Sequence, residues 1–173
     1  MSENHEAGQD DFAAMAAPSD EHAMLNPFVG TFRATVSMWM GPGDPMVTTG
    51  VMTSAWDLGG RFLGQTYKGD PGEGPFPEFE GRGFWGYNKI DRVWEGVWID
   101  NASTVLQVEK GSVDEAGKVW TMEGEMTNPQ TGEPITKRSV ITLLDEDHHS
   151  MEMYFSSPEG EMRGMEIQYA REG

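Results

Sequence analysis

The strongest constraint on this chain is a hydrophobic period of two that sets in after Phe28 and never gives way to a helical one. Phe32, Ala34, Val36, Met38 and Met40 alternate with Thr31, Arg33, Thr35, Ser37 and Trp39. Successive side chains of a strand point to opposite faces, so this alternation marks a half-buried strand. Turn-forming clusters punctuate the rest: 41–45, Gly59-Gly60, 69–77, 88–91, 100–103, 114–117, 128–132, 145–147 and 157–160. Between them the pattern predicts about ten strands and no helix after residue 27. Connections this short join antiparallel neighbours, because a parallel pair needs a crossover of about a dozen residues or more.

A sandwich and a barrel both fit ten such strands. Glycines inside the strands favour the barrel: Gly50, Gly64, Gly81, Gly83, Gly86, Gly96, Gly111, Gly124 and Gly164. Glycine weakens a flat strand but permits the bends of a closing sheet. Closure also removes edge strands. The expected fold is therefore all-β, an antiparallel up-and-down barrel over 18–173, preceded by a mobile acidic tail over 1–17. Between them, Ser19 can cap a short helix near 19–26, with Asp20 and Glu21 at its positive end and Pro27 limiting it.

Charge narrows the partners. The chain has 29 acidic and 12 basic residues, net −17, and residues 1–22 hold six acids and no base. Nucleic acid and anionic membrane surfaces are bound through Lys and Arg clusters, so neither is an expected partner. The absence of cysteine excludes disulfides and thiolate sites. No basic, then apolar, leader opens the chain, so a cytoplasmic location is the default expectation.

Several segments resemble known families. Gly30-Thr31-Phe32 resembles the opening Gly-x-Trp of calycin barrels, the lipocalins and fatty-acid-binding proteins, with Phe32 in place of Trp. Arg171 is placed like the arginine that covers that aromatic. More closely, the chain resembles a bacterial domain-of-unknown-function family, number 1579. The likeness rests on Glu21-His22 through Phe32, Met38-Trp39-Met40, Trp56 through Leu63, and Gly81-Arg82-Gly83 with Gly86-Tyr87. It continues through Trp98-Ile99-Asp100 with Ser103-Thr104, Glu152-Met153-Tyr154 and Met165-Glu166-Ile167. The resemblance implies a lipocalin-like barrel and supplies no activity. The short turn after the first strand leaves no room for the helical lid of fatty-acid-binding proteins.

The chemistry-bearing patterns are mostly bland. Residues 81–86 spell GxGxxG, but they lead into another strand rather than a helix, which fits a bent strand and not a dinucleotide site. His148 and His149 are adjacent on a strand and point to opposite faces, so they cannot easily share a metal. Only His149 is placed for axial ligation in a lumen. Thirteen scattered methionines fit core or pocket lining better than a copper site. No metal and no cofactor is expected.

Three function classes remain. The first is a non-enzymatic binder of a small apolar or amphipathic molecule in the barrel lumen, because a barrel of this size need not be filled. Its expected lining is Phe32, Met38, Trp56, Arg61, Trp85, Tyr87, Trp98, Asp100, Arg138, Glu152 and Met153. The second is an enzyme built on a lumenal carboxylate, with Asp100, Glu152 and Glu166 as the acids to watch and Arg61 or Arg138 as the cationic partner. The third is an interaction module, possible as a homodimer, with Trp39 as the first outer contact.

Overall fold

The computed structural model describes residues 12–72, 76–128, 131–157 and 160–173. Ten strands follow in order: β1 (Gly30–Met38), β2 (Met46–Asp57), β3 (Phe62–Gly69), β4 (Glu80–Asn88) and β5 (Val93–Asp100) form the first half. The second half is β6 (Gln107–Val113), β7 (Val119–Thr127), β8 (Pro134–Leu143), β9 (His148–Ser157) and β10 (Gly160–Arg171). Each pairs antiparallel with the next, and β1 pairs with β10, so the sheet closes into a barrel rather than a sandwich. The GxGxxG segment lies in β4 and runs into β5, as a strand.

Closure depends on glycine where the wall bends against its own side chains. Gly83 pairs with Trp98, and Gly81 with Asp100. A Cβ on Gly81 would lie 2.1 Å from the Trp98 indole, and one on Gly83 would lie 2.5 Å from the Val97 carbonyl oxygen. Both distances are far inside van der Waals contact, so the indole lies flat across the two glycines because they carry no side chain. Gly83→Ala should cost about 2 kcal/mol, the range of core overpacking. Urea unfolding measures it, and an unchanged midpoint would refute the close-approach role.

One end of the barrel is plugged by the N-terminal segment. Residues 12–16 form a helical turn, α1, and Lys89 Nζ donates to the Ala14 and Ala17 carbonyl oxygens. The rest of the expected tail, 1–11, lies outside the described residues. Helix α2 spans Asp20–Ala23 and is capped by Ser19. The Ser19 N–H donates to His22 Nδ1 at 3.1 Å, and the Ser19 hydroxyl donates to Glu21 at 2.6 Å. Pro27 then shapes a 3-10 turn over Asn26–Phe28. The single short helix expected over 19–26 is thus an α-helical turn followed by a 3-10 turn, because proline cannot continue an α-helix.

Leu25 and Phe28 from this segment are fully buried against Leu63, Trp85, Trp94, Trp120 and Met122. The Phe28 ring meets Trp85 at 5.1 Å and Trp120 at 5.3 Å, edge to face. Such pairs add about 0.5–1.5 kcal/mol each beyond the area they bury. A second cluster, Phe32, Ala34, Val36, Met52, Tyr67, Ile167 and Tyr169, continues the core towards the other end. That other end is framed by the loops that follow β1, β3, β5, β7 and β9.

Candidate functional site

Register decides which residues meet inside the barrel. Trp98 pairs with Gly83 on one side and Gln107 on the other. Lys137 pairs with Gly124 and Phe155, and Ser139 with Met122 and Met153. Met153 pairs with Met165, which pairs with Met38. All of these positions share the inward face. At the plugged end the inward side chains are sealed: Leu63 and Trp120 are 0% exposed and Trp94 is 2%. Towards the open end, Trp98, Gln107, Glu109, Met126, Met153, Phe155 and Met165 are only half-buried, although they also face inward. These positions lie towards the mouth of the barrel and beside the break between β6 and β7, where an inward side chain still meets solvent. The interior is therefore packed at one end and accessible at the other.

A polar cluster stands in the accessible half. Lys137 Nζ donates to Gln107 Oε1 at 2.8 Å and lies 3.4 Å from Glu109 Oε1. The Ser139 hydroxyl donates to the same Glu109 oxygen at 2.7 Å. The Lys137 side chain is 8% exposed and that of Glu109 18%. Removing an ion pair from water costs several kcal/mol per charge, and the cost is offset only when further hydrogen bonds complete the geometry. Gln107 and Ser139 supply those bonds here. Lys137 still has a third N–H and Glu109 a second oxygen, neither with a partner among the described residues. The wall is thin beside the cluster. Pairing of β6 with β7 stops at Lys110 and Glu123, and a void of about 20 Å³ between the two strands touches Gln107, Glu109, Gly124 and Lys137. That is room for one water molecule.

The sequence-predicted residues divide into three groups. Met38, Trp98, Asp100 and Met153 all take inward positions in the accessible half. Asp100 sits at the rim, accepting from Trp98 Nε1 at 3.2 Å and from the Ala102 N–H at 3.1 Å. Phe32, Trp85 and Tyr87 belong to the packed core and its edge. Trp56 donates to Asn26 Oδ1 of the plug at 3.0 Å. Arg61 sits in the β2–β3 turn, donating to the Leu58 carbonyl oxygen, and so does not reach a lumenal carboxylate.

Arg138 and Glu152 are corrections. Both face outward, because their neighbours Lys137, Ser139, Met151 and Met153 take the inward positions. Arg138 binds Glu161 through two hydrogen bonds, at 2.8 and 2.6 Å, and stacks on Tyr154. Glu152 binds Arg163 at 3.1 Å, and the same guanidinium holds Glu166 at 2.9 Å. The lumenal ion pair is Glu109 with Lys137, neither of which the sequence singles out. One signal was available: Lys137 and Arg138 are adjacent, so only one of them can face inward.

His148 and His149 do point to opposite faces. His148 is exposed on Asp145 at 2.9 Å. His149 is buried, stacked on Tyr169 at 4.3 Å with Phe28 and Phe32 edge-on at 5.0 and 4.6 Å. Burial, aided by the Arg171 charge, lowers its pKa from 6.5 to about 4, so the ring is neutral at pH 7. No group of three or more metal-ligating side chains occurs among the described residues.

No curated protein matches the chain in sequence. The crystal structure of Rv2717c from M. tuberculosis is similar in fold, with a TM-score of 0.64 and 15% identity over 91% of this chain and 100% of that one. A redesigned β-barrel superposes more loosely, at TM-score 0.45 and 12% identity, again over 91% of this chain and 100% of that one. Over residues 17–171 the chain matches the family described as protein of unknown function, DUF1579, and it belongs to that family.

Proposed function

We propose that this protein is a non-enzymatic binder of one small apolar or amphipathic molecule, held in the accessible half of the barrel. The observation that carries the reading is the contrast between the two ends of the interior. Methionine and tryptophan line the accessible half, and neither is sealed there as its counterparts are at the plug. Methionine is unbranched and polarisable, which suits a pocket that must fit an apolar guest without a fixed shape. Trp98 offers a flat face for the guest. Lys137 and Glu109 set a donor beside an acceptor at the inner wall, so a guest with an amide-like or hydroxyl end would meet both.

A neutral fluorescent amphipath, N-phenyl-1-naphthylamine, tests this directly. The wild-type protein should take up about one equivalent, with enhanced dye emission and quenching of Trp98. Met153→Trp narrows the same space and should weaken uptake at least tenfold while leaving the circular dichroism spectrum unchanged. Absence of uptake up to 100 µM dye, or equal uptake by the variant, would refute lumenal binding.

A further inference from the structure

The outer wall carries a feature that the lumen does not use. Across β2–β6 the register aligns Ala55, Gly64, Phe84, Val97 and Val108 in a single outward row without a charge. Phe62 flanks the row, its ring lying over Gly86, where a Cβ would come within 2.9 Å of it. Ile99 and Leu106 flank the other side. Five of these side chains are exposed although large and apolar: Phe62 41%, Phe84 45%, Ile99 47%, Leu106 62% and Val108 49%. On a chain of net −17 this is the wrong place for apolar surface unless something covers it. Together these five present on the order of 450 Å², the apolar centre of the ~800 Å² that each partner buries in a standard interface, with the polar rim supplying the rest.

Charge indicates what covers it. Arg82 stands outward beside Ile99 and has no hydrogen bond or ion pair among the described residues. Glu125, outward on β7 past the other edge of the stripe, has none either. An isologous dimer places one edge of a patch against the opposite edge of its copy. A two-fold axis through the stripe between β5 and β6 would therefore bring each Arg82 to the other chain's Glu125, with Phe84 against Val108. We propose that this stripe is the interface of a homodimer, a second copy of this chain being the partner. Trp39, the outer contact expected from the sequence, is instead half-buried under the Arg163 guanidinium, 4.5 Å from its ring centroid.

Sedimentation equilibrium of the full chain from 1 to 300 µM in 0.15 M salt reads the association, since the ~8 Å Debye length there screens the like net charges. The wild type should shift from one-chain to two-chain mass within that range. Phe84→Glu and Val108→Lys, both at exposed positions, should each raise the dissociation constant at least tenfold without changing the far-ultraviolet spectrum. Arg82→Glu should weaken association, and adding Glu125→Arg to the same chain should restore it. One-chain mass throughout, including capture of the stripe by some other protein only, overturns the proposal. So does a dimer that both Phe84→Glu and Val108→Lys leave intact. None of these outcomes depends on dye uptake in the lumen.

Discussion

Arg171→Ala is expected to lower the free energy of unfolding by about 4 kcal/mol. The guanidinium ties the plug to the far end of the chain. It donates to the Val29 carbonyl at 2.8 Å, the Pro27 carbonyl at 2.8 Å and the Glu146 carbonyl at 2.9 Å. It also lies over the Phe32 ring, 4.5 Å from its centroid. Hydrogen bonds from a charged donor contribute about 1.5–3 kcal/mol each, and a cation over an aromatic ring adds roughly 0.5–2. These terms overlap, so their sum overstates the loss, but truncation also strands two part-buried carbonyls. For a chain of this length about 4 kcal/mol corresponds to a fall of roughly 8–16 °C in Tm. Arg171→Lys keeps the charge without the fork and should recover only part of the loss. Gly30→Ala tests the same anchor from the other side. Gly30 has φ +136°, where a side chain strains the backbone, and a Cβ there would overlap the Arg171 Nη1, so alanine must both strain the turn and displace the guanidinium. A loss below 1 kcal/mol for Arg171→Ala in urea unfolding would mean that the plug holds by its apolar contacts alone.

The architecture was readable because turn chemistry and alternation agree along the chain. The turn clusters at 41–45, 114–117 and 145–147 each fall between strands, and Gly81 and Gly83 of β4 do sit where the wall meets Trp98. The candidate site was less readable, and β6 shows why. There the polar residues Gln107 and Glu109 face inward while Leu106 and Val108 face solvent, so the rule that apolar side chains point inward selects the wrong face. The same rule works on β9, where Met151 and Met153 face inward and Glu152 outward, paired with Arg163. Only cross-strand register, which places Lys137 between Gly124 and Phe155, separates it from Arg138. The plug raises a different difficulty. Phe32, Trp85 and Tyr87 are aromatic and inward, as a binding residue would be, but Leu25 and Phe28 arrive from outside the sheet and fill the space beside Trp85. Nothing in the strand pattern marks which half of the lumen the N-terminal segment occupies.

His149 should make the barrel acid-labile well above the carboxylate range. Its ring is enclosed by Phe28, Phe32 and Tyr169, and burial first, then the Arg171 charge, lowers its pKa to about 4 in the folded state. In the unfolded chain it titrates near 6.5. Above pH 6.5 both states hold it neutral, and its full contribution to stability is present. As the pH falls from 6.5 to 4 the unfolded chain takes up the proton and the folded one does not, so stability is lost across that window. Integrated over the difference in pKa, the loss is roughly 3 kcal/mol. His22, also buried and also lowered in pKa by desolvation, adds loss in the same direction. The carboxylates held low by hydrogen bonds, Asp70, Asp114 and Asp145, lose their stabilising bonds only at more acid pH. The comparison must therefore be with His149→Phe, which keeps a ring in the aromatic cage and cannot titrate. Wild-type and variant unfolding free energies, measured from pH 7.5 to 4, should diverge by roughly 3 kcal/mol in favour of the variant at the acid end. Parallel curves would show that the His149 ring is not held neutral by the fold. Arg171→Ala joins the two effects: without the guanidinium, His149 protonates more easily, so the variant that loosens the plug should also have a shallower acid slope than the wild type.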